Sequence, residues 1–291
     1  MAQPSTTLET VTQLPILPPR RADSNKGNYG RVLVVAGSRG MSGAAVLSAS
    51  AALRGGAGLV YLAVPEGIQD RVATANPCYL TVALPQDDHG QIAGRALAEL
   101  LPLLQANDVA ALGPGLGRSQ ELTTLVGSVL AQARVPVVLD ADGLNALEHR
   151  SEELRHHAGP VVITPHPGEF ARLTGSRVAD VQARRQELAA QFAAEHRVVV
   201  VLKGQGTVVT DGRRVHVNST GNPGMATGGT GDVLTGLVAA LLGQGLEPFA
   251  AAHLGVHVHG LAGDLARDER GEVSLIASDL LDFLPYAFRN L

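Results

Sequence analysis

Residues Asn222 to Gly236, NPGMATGGTGDVLTG, lead a glycine-rich loop directly into an apolar helix. A helix N-terminus presents unpaired amide N–H groups and a partial positive charge. Gly228, Gly229 and Gly231, around Thr230, let that backbone approach a phosphate closely, so the segment reads as an anion cradle. Asp232 lies in the same turn, where a carboxylate can cap the helix or take the proton of a substrate hydroxyl. A second candidate is Lys203-Gly204-Gln205-Gly206-Thr207. It offers a cation, exposed amides and a hydroxyl suited to a nucleotide's phosphates or ribose, although the same residues also make a tight turn with a solvated lysine. In His166-Pro167-Gly168-Glu169, Glu169 could hold Mg2+ through water, because Mg2+ in phosphoryl-transfer sites keeps several waters and uses few carboxylates. His166 could contact substrate. Proline and glutamate in that order also simply begin a helix. Asp140 and Asp142 are further crevice candidates, with Asp142 equally suited to cap the segment GLNAL.

These groups need a scaffold that gathers them. Short β-branched apolar runs recur ahead of polar or glycine-rich loops: Arg31 to Ala36, Leu59 to Val64, Val109 to Leu112 before GPGLG, Val135 to Leu139 before DADGLNAL, and Val161 to Ile163 before TPHPGEF. Such runs suit strands buried on both faces. In an open parallel sheet their loops collect at the carboxyl edge, where ligands bind. Ser42 stands where an N-cap belongs, ahead of GAAVLSASAAL. A helix is predicted around Ala179 to Glu195, then strand Val198 to Leu202 and a hairpin of Thr207 to Thr210 with Arg214 to Val217, turned at Asp211-Gly212. Helices near Thr230 to Leu242, Pro248 to Ala266 and Ser274 to Asn290 close the chain. Residues 1 to 25 read as an extended arm laid on the surface or on a neighbouring subunit, and 26 to 291 as one α/β domain.

The chain has 291 residues, 45% hydrophobic and 17% charged, with a formal net charge of -4. That balance argues against a nucleic-acid or membrane-surface binder, which neutralises phosphates with clustered Lys and Arg. One cysteine, Cys78, excludes an internal disulfide and a cysteine-based metal site, and reads as a small buried hydrophobe. No stretch approaches the ~18 apolar residues of a membrane span, so a cytoplasmic protein is expected. The turns at Gly37 to Ala45 and Gly113 to Gly117 lack the spacing of a dinucleotide fingerprint, and no P-loop or HExxH motif occurs.

Taken in order, KGNYGRVLVVAGS, SGAA, GPGLG, LDADGLNAL, TPHPGEF, KGQGT and NPGMATGGTGDVLTG resemble the ADP/ATP-dependent NAD(P)H-hydrate dehydratase family from Lys26 to the C-terminus. The resemblance implies a ribokinase-like α/β fold, a central and mostly parallel sheet with helices on both faces. It implies nicotinamide nucleotide repair: dehydration of the S form of hydrated NADH or NADPH, coupled to conversion of ADP to AMP and phosphate or of ATP to ADP and phosphate. Lys203, Gly204, Gln205, Gly206, Thr207 and Gly231 would contact the adenine nucleotide. Ala44, Gly115, His166 and Asp232 would face the hydrated nicotinamide, with Asp232 as the base. Mg2+ is the implied cofactor, a homotetramer the implied assembly, and a separate NAD(P)H-hydrate epimerase the functional partner. A kinase for a small alcohol or vitamin precursor, and a non-catalytic adenine-nucleotide sensor, are the alternatives.

Overall fold

Runs of Val, Leu and Ala become strands here because both of their faces find apolar cover. The computed structural model describes residues 8–291, and residues 1–7 of the expected arm lie outside them. In chain order the strands are β1 (Glu9–Thr10), β2 (Arg31–Val35), β3 (Leu59–Pro65), β4 (Leu80–Leu84), β5 (Val109–Leu112), β6 (Val137–Leu139), β7 (Val161–Ile163), β8 (Val199–Leu202), β9 (Val208–Thr210) and β10 (Arg214–Val217). The helices are α1 (Ser42–Arg54), α2 (Gln69–Ala75), α3 (Leu97–Ala106), α4 (Gln120–Gln132), α5 (Asp142–Asn145), α6 (Pro167–Thr174), α7 (Val178–Ala183), α8 (Arg185–His196), α9 (Thr230–Gly243), α10 (Pro248–Arg270) and α11 (Ala277–Arg289).

Among the described residues the ten strands form one sheet in the order β1-β10-β9-β8-β7-β6-β5-β2-β3-β4. The block from β4 to β8 is parallel, and only β9 runs antiparallel to its two neighbours. The pleat divides each strand between two cores. Val32 and Val34 face the layer built by α1, α9, α10 and α11, while Leu33 and Val35 face α3, α4, α6 and α8. This is the expected mostly parallel sheet with helices on both sides.

Before residue 26 the described chain lies along its own domain. Glu9 pairs with Arg214 and Thr10 with Val215, and the Arg20 guanidinium donates to the Gly56 carbonyl at 2.6 Å. The pairing covers the edge of β10, whose backbone groups would otherwise be open to another chain.

Local expectations failed in four places. Ser42 is the first residue of α1 and not its cap; Met41 holds that position and makes no side-chain cap bond. The helix predicted around Ala179 to Glu195 is two, broken at Arg184 (φ -134°, ψ 44°), which turns Arg185 toward the end of β8. The third is β4, which the expected strands omit although its residues LTVAL are apolar but for one threonine; at the edge of the sheet it buries only Leu84. The fourth is Cys78, which is exposed. The neighbouring Tyr79 takes the buried place and donates its hydroxyl to the Val72 carbonyl at 2.6 Å.

Helices α1 and α9 cross so closely that a Cβ placed on Gly236 would lie 1.9 Å from the Ser48 carbonyl oxygen. A backbone oxygen cannot swing aside as a side chain can. Gly236→Ala is therefore expected to destabilise the protein by about 1–3 kcal/mol despite alanine's better helix propensity. A urea-unfolding midpoint equal to that of the native chain would show that the two helices can move apart.

Candidate functional site

Each strand of the parallel block hands its end to the next. Gly113 N donates to Val35 O (3.2 Å), Asp140 N to Leu112 O (3.1 Å), Thr164 N to Leu139 O (3.1 Å) and Lys203 N to Pro165 O (2.9 Å). These bonds align the loops after β2, β5, β6, β7 and β8 along one carboxyl edge. Gly113 must be glycine for this stacking: its φ is +133°, and a Cβ there would sit 1.9 Å from the Asp140 carbonyl oxygen.

At the centre of the edge is a buried ion pair. The Lys203 ammonium donates to Asp140 Oδ1 at 2.7 Å and lies 3.9 Å from Glu169 Oε2, with the lysine side chain 19% exposed and Asp140 1%. The second oxygen of Asp140 accepts from the Thr235 hydroxyl at 2.8 Å, which ties the end of β6 to α9. Burial alone would push the Lys203 pKa down, but the carboxylates of Asp140 and Glu169 outweigh it and the net direction is up. The cation is therefore permanent. Across the pair lies Gly231, where a Cβ would stand 3.1 Å from Lys203 Nζ and 3.7 Å from Asp140 Oδ2.

Asp232 follows Gly231 in the first turn of α9 and is half-buried. Its alternative role as a cap is not realised: Gly229, at φ 96°, is the N-cap, and no side chain caps α9. The early amides of that helix are thus left for an anion. Burial pushes the Asp232 carboxyl up to about 7, helped by the negative charge of Asp140 and opposed by Lys203. A carboxylate of that basicity beside a fixed ammonium suits general-base work near neutral pH.

His166 and Glu169 form a reciprocal cap on α6. His166 Nδ1 accepts from the amides of Gly168 (3.0 Å) and Glu169 (3.2 Å), and His166 N donates to Glu169 Oε2 at 2.8 Å. Burial first, then the charges of Lys203 and Arg172, hold the imidazole pKa below its ordinary value. The network assigns a neutral ring with its proton on Nε2, on a side chain 51% exposed. Glu169 is itself raised, mainly by burial. Among the described residues no cluster of His, Cys, Asp or Glu is arranged to hold a metal directly. Lys203 stands between Asp140 and Glu169 where such a cation would stand, so the residues fit a metal carried in on phosphates with its own waters and do not fit a protein-caged one.

The remaining candidates lie on the same rim. A Cβ on Gly115 would meet the Ala44 Cβ at 3.0 Å, so Ala44 in the first turn of α1 faces Gly115 in the loop after β5. Ser38 Oγ donates to Gly115 O at 2.8 Å. Asp142 does not cap GLNAL. Its Oδ2 accepts from Gly117 N (2.9 Å), its Oδ1 accepts from Asn145 (3.1 Å), and Asn145 in turn accepts from Arg172 of α6 (2.9 Å). Gly204 (φ +132°) and Gly206 (φ +61°) shape the Lys203 to Thr207 turn, which Thr207 closes by donating to Gly204 O at 2.9 Å. Gln205 is exposed at its tip.

Sequence reasoning missed several supports. Arg185 donates to the carbonyls of Leu202 (2.7 Å) and Lys203 (3.2 Å) and so braces the turn from α8. His259 of α10 donates Nε2–H to Thr230 O at 2.8 Å, and burial lowers its pKa to about 4. Thr235 carried no local signal at all. Hollows of about 420 and 460 Å³ lie elsewhere, beside residues 17–29 and between α6 and α8, and include none of the candidates named from the sequence.

Residues 32–286 match the family model described as NAD(P)H-hydrate dehydratase. The bifunctional NAD(P)H-hydrate repair enzyme Nnr of Moorella thermoacetica is 51% identical over 94% of this chain and 52% of its own length. The chain thus spans about half the length of the bifunctional relatives it matches. A Bacillus subtilis ADP-dependent (S)-NAD(P)H-hydrate dehydratase is 36% identical over 94% of both chains. A crystal structure of ADP/ATP-dependent NAD(P)H-hydrate dehydratase from that organism, co-crystallised with ATP and Mg2+, superposes with a TM-score of 0.80 at 33% identity over 94% of each chain. A ribokinase-like superfamily protein of Enterococcus faecalis superposes equally well, at 0.80 and 28% identity over 94% of this chain and 92% of its own, and the fold is ribokinase-like.

Proposed function

Because the chain belongs to the NAD(P)H-hydrate dehydratase family, we propose that it removes water from the S form of hydrated NADH and NADPH, driven by phosphoryl transfer from ADP or ATP. One observation carries the reading: Asp232, a carboxyl raised by burial, follows Gly231 in the first turn of a glycine-led helix, and Gly231 lies against the buried Lys203 ammonium.

Hydroxide is a poor leaving group, and phosphorylation turns it into a good one. Asp232 takes the proton of the hydroxyl on ring carbon C6 as that oxygen attacks the terminal phosphorus of the nucleotide and the bond to the departing nucleotide breaks. The amides of Gly228 to Gly231 and the Lys203 ammonium oppose the charge that gathers on the phosphoryl oxygens. The ring nitrogen's lone pair then expels phosphate from C6, and loss of a proton from C5 restores the dihydropyridine. Gly204 to Thr207 hold the nucleotide, while His166, Ala44 and Gly115 border the nicotinamide. Mg2+ would neutralise phosphate charge, with Glu169 reaching only its waters. We place the protein in the cytoplasm as a homotetramer, working beside an epimerase that supplies the S form. No helix among the described residues is long and apolar enough to cross a membrane.

Incubation with hydrated NADH, Mg2+ and ADP or ATP should restore the absorbance of reduced nicotinamide and release inorganic phosphate. A stable phosphate ester would instead make the protein a kinase, and nucleotide binding without turnover would make it a sensor. Since only ionised Asp232 can accept the proton, kcat/KM should rise with pH through about 7 and fall about tenfold per unit below it. A profile flat between pH 5 and 8 would remove Asp232 from the proton transfer.

A further inference from the structure

We propose that Asp140 is a positioning residue of this site: it grips the Lys203 ammonium with one oxygen and the Thr235 hydroxyl with the other, and so fixes both the cation and the charge that Asp232 experiences. The bonds are 2.7 and 2.8 Å, and the carboxylate is 1% exposed, so water cannot substitute for either partner. Thr235 lies one helical turn beyond Gly231, and Gly231 is the position whose missing Cβ leaves room for the Lys203 ammonium that Asp140 holds. A carboxylate at the end of β6 thus ties the sheet to α9 one turn beyond Gly231.

The groups around Asp232 come from five elements. Asp140 follows β6, Asp142 begins α5, Glu169 sits in α6, Lys203 follows β8, and His259 reaches from α10 to the Thr230 carbonyl. His259 is neutral in the working range because burial lowers its pKa to about 4. One ammonium therefore stands among three neighbouring carboxylates, and Asp140 holds it. With Asp140 neutral, a repelling charge near Asp232 disappears. Lys203 keeps only Glu169, at 3.9 Å, and is free to lean toward Asp232. Both changes make Asp232 a weaker base.

This rests on the reading of Asp232 as the base, so the decisive measurement uses the free protein without substrates. The full-length chain, labelled with carboxyl-13C aspartate, is titrated by NMR, and the Asp232 signal is assigned by its loss in Asp232→Asn. Asp140→Asn should lower the Asp232 midpoint by roughly 1–2 pH units. Thr235→Val, which removes only the hydroxyl that turns Asp140 toward α9, should lower it by less. Should Asp140→Asn fail to fold, Thr235→Val carries the test. An Asp232 midpoint unmoved in a folded variant overturns the proposal. In turnover, the acid limb of kcat/KM should move down with the NMR midpoint and KM for ADP should rise, which a purely structural role would not produce. A shifted midpoint in a protein whose native form never turns over hydrated NADH would refute the dehydratase reading and leave Asp140 in its place.

Discussion

Asp232→Asn is expected to give a more stable protein that has lost its chemistry. Removal of a general base lowers turnover about 10²- to 10⁴-fold. ADP should still bind, because the amides of Gly228 to Gly231 and the Lys203 ammonium are untouched. The stability gain follows from linkage. The carboxyl titrates at about 7 in the folded chain against 3.8 for an unperturbed aspartate, so folding favours its neutral form. That contribution is whole below pH 4 and is lost as pH rises through 7. At pH 8 the native protein bears the full penalty of burying the charge, on the order of 2–4 kcal/mol. Asparagine does not bear it. Urea unfolding should show the variant ahead of the native chain at pH 8 and level with it near pH 4; the opposite trend would mean that Asp232 is stabilised as an anion and is not poised as a base.

Lys203→Met should act in the other direction. Asp140 would be left at 1% exposure with Thr235 as its remaining side-chain partner, and breaking one half of a buried ion pair typically destabilises by about 3–5 kcal/mol. The nucleotide would also lose its fixed cation, so calorimetric titration should detect ADP binding weakened by an order of magnitude or more. A variant with native unfolding midpoint and native ADP affinity would show Lys203 to be a solvated turn residue after all.

Both outcomes turn on residues that the sequence exposes unequally. Asp232 and Lys203 sit in glycine-rich segments whose backbone demands are local, and local demands are visible in composition. Asp140 was a candidate, but nothing near it in sequence says that its partners lie 63 and 95 residues away. Thr235 looks like any helical threonine until the end of β6 is brought against it. Glu169 shows the converse: an acid in a first turn suits a metal site or a cap equally, and only the His166 amide at 2.8 Å reveals the cap.

The sequence by itself determined the layered α/β architecture, the block of buried parallel strands and the glycine loops at their carboxyl ends. Apolar periodicity and glycine's tolerance of positive φ act over a few neighbouring residues. Only the tertiary structure decided which charges meet. The basicity of Asp232, the pairing of Lys203 with Asp140 and the bracing of the turn by Arg185 depend on burial and on distances between separate strands. Electrostatic energy is set by separation in space and by exclusion of water, neither of which is written in the order of residues.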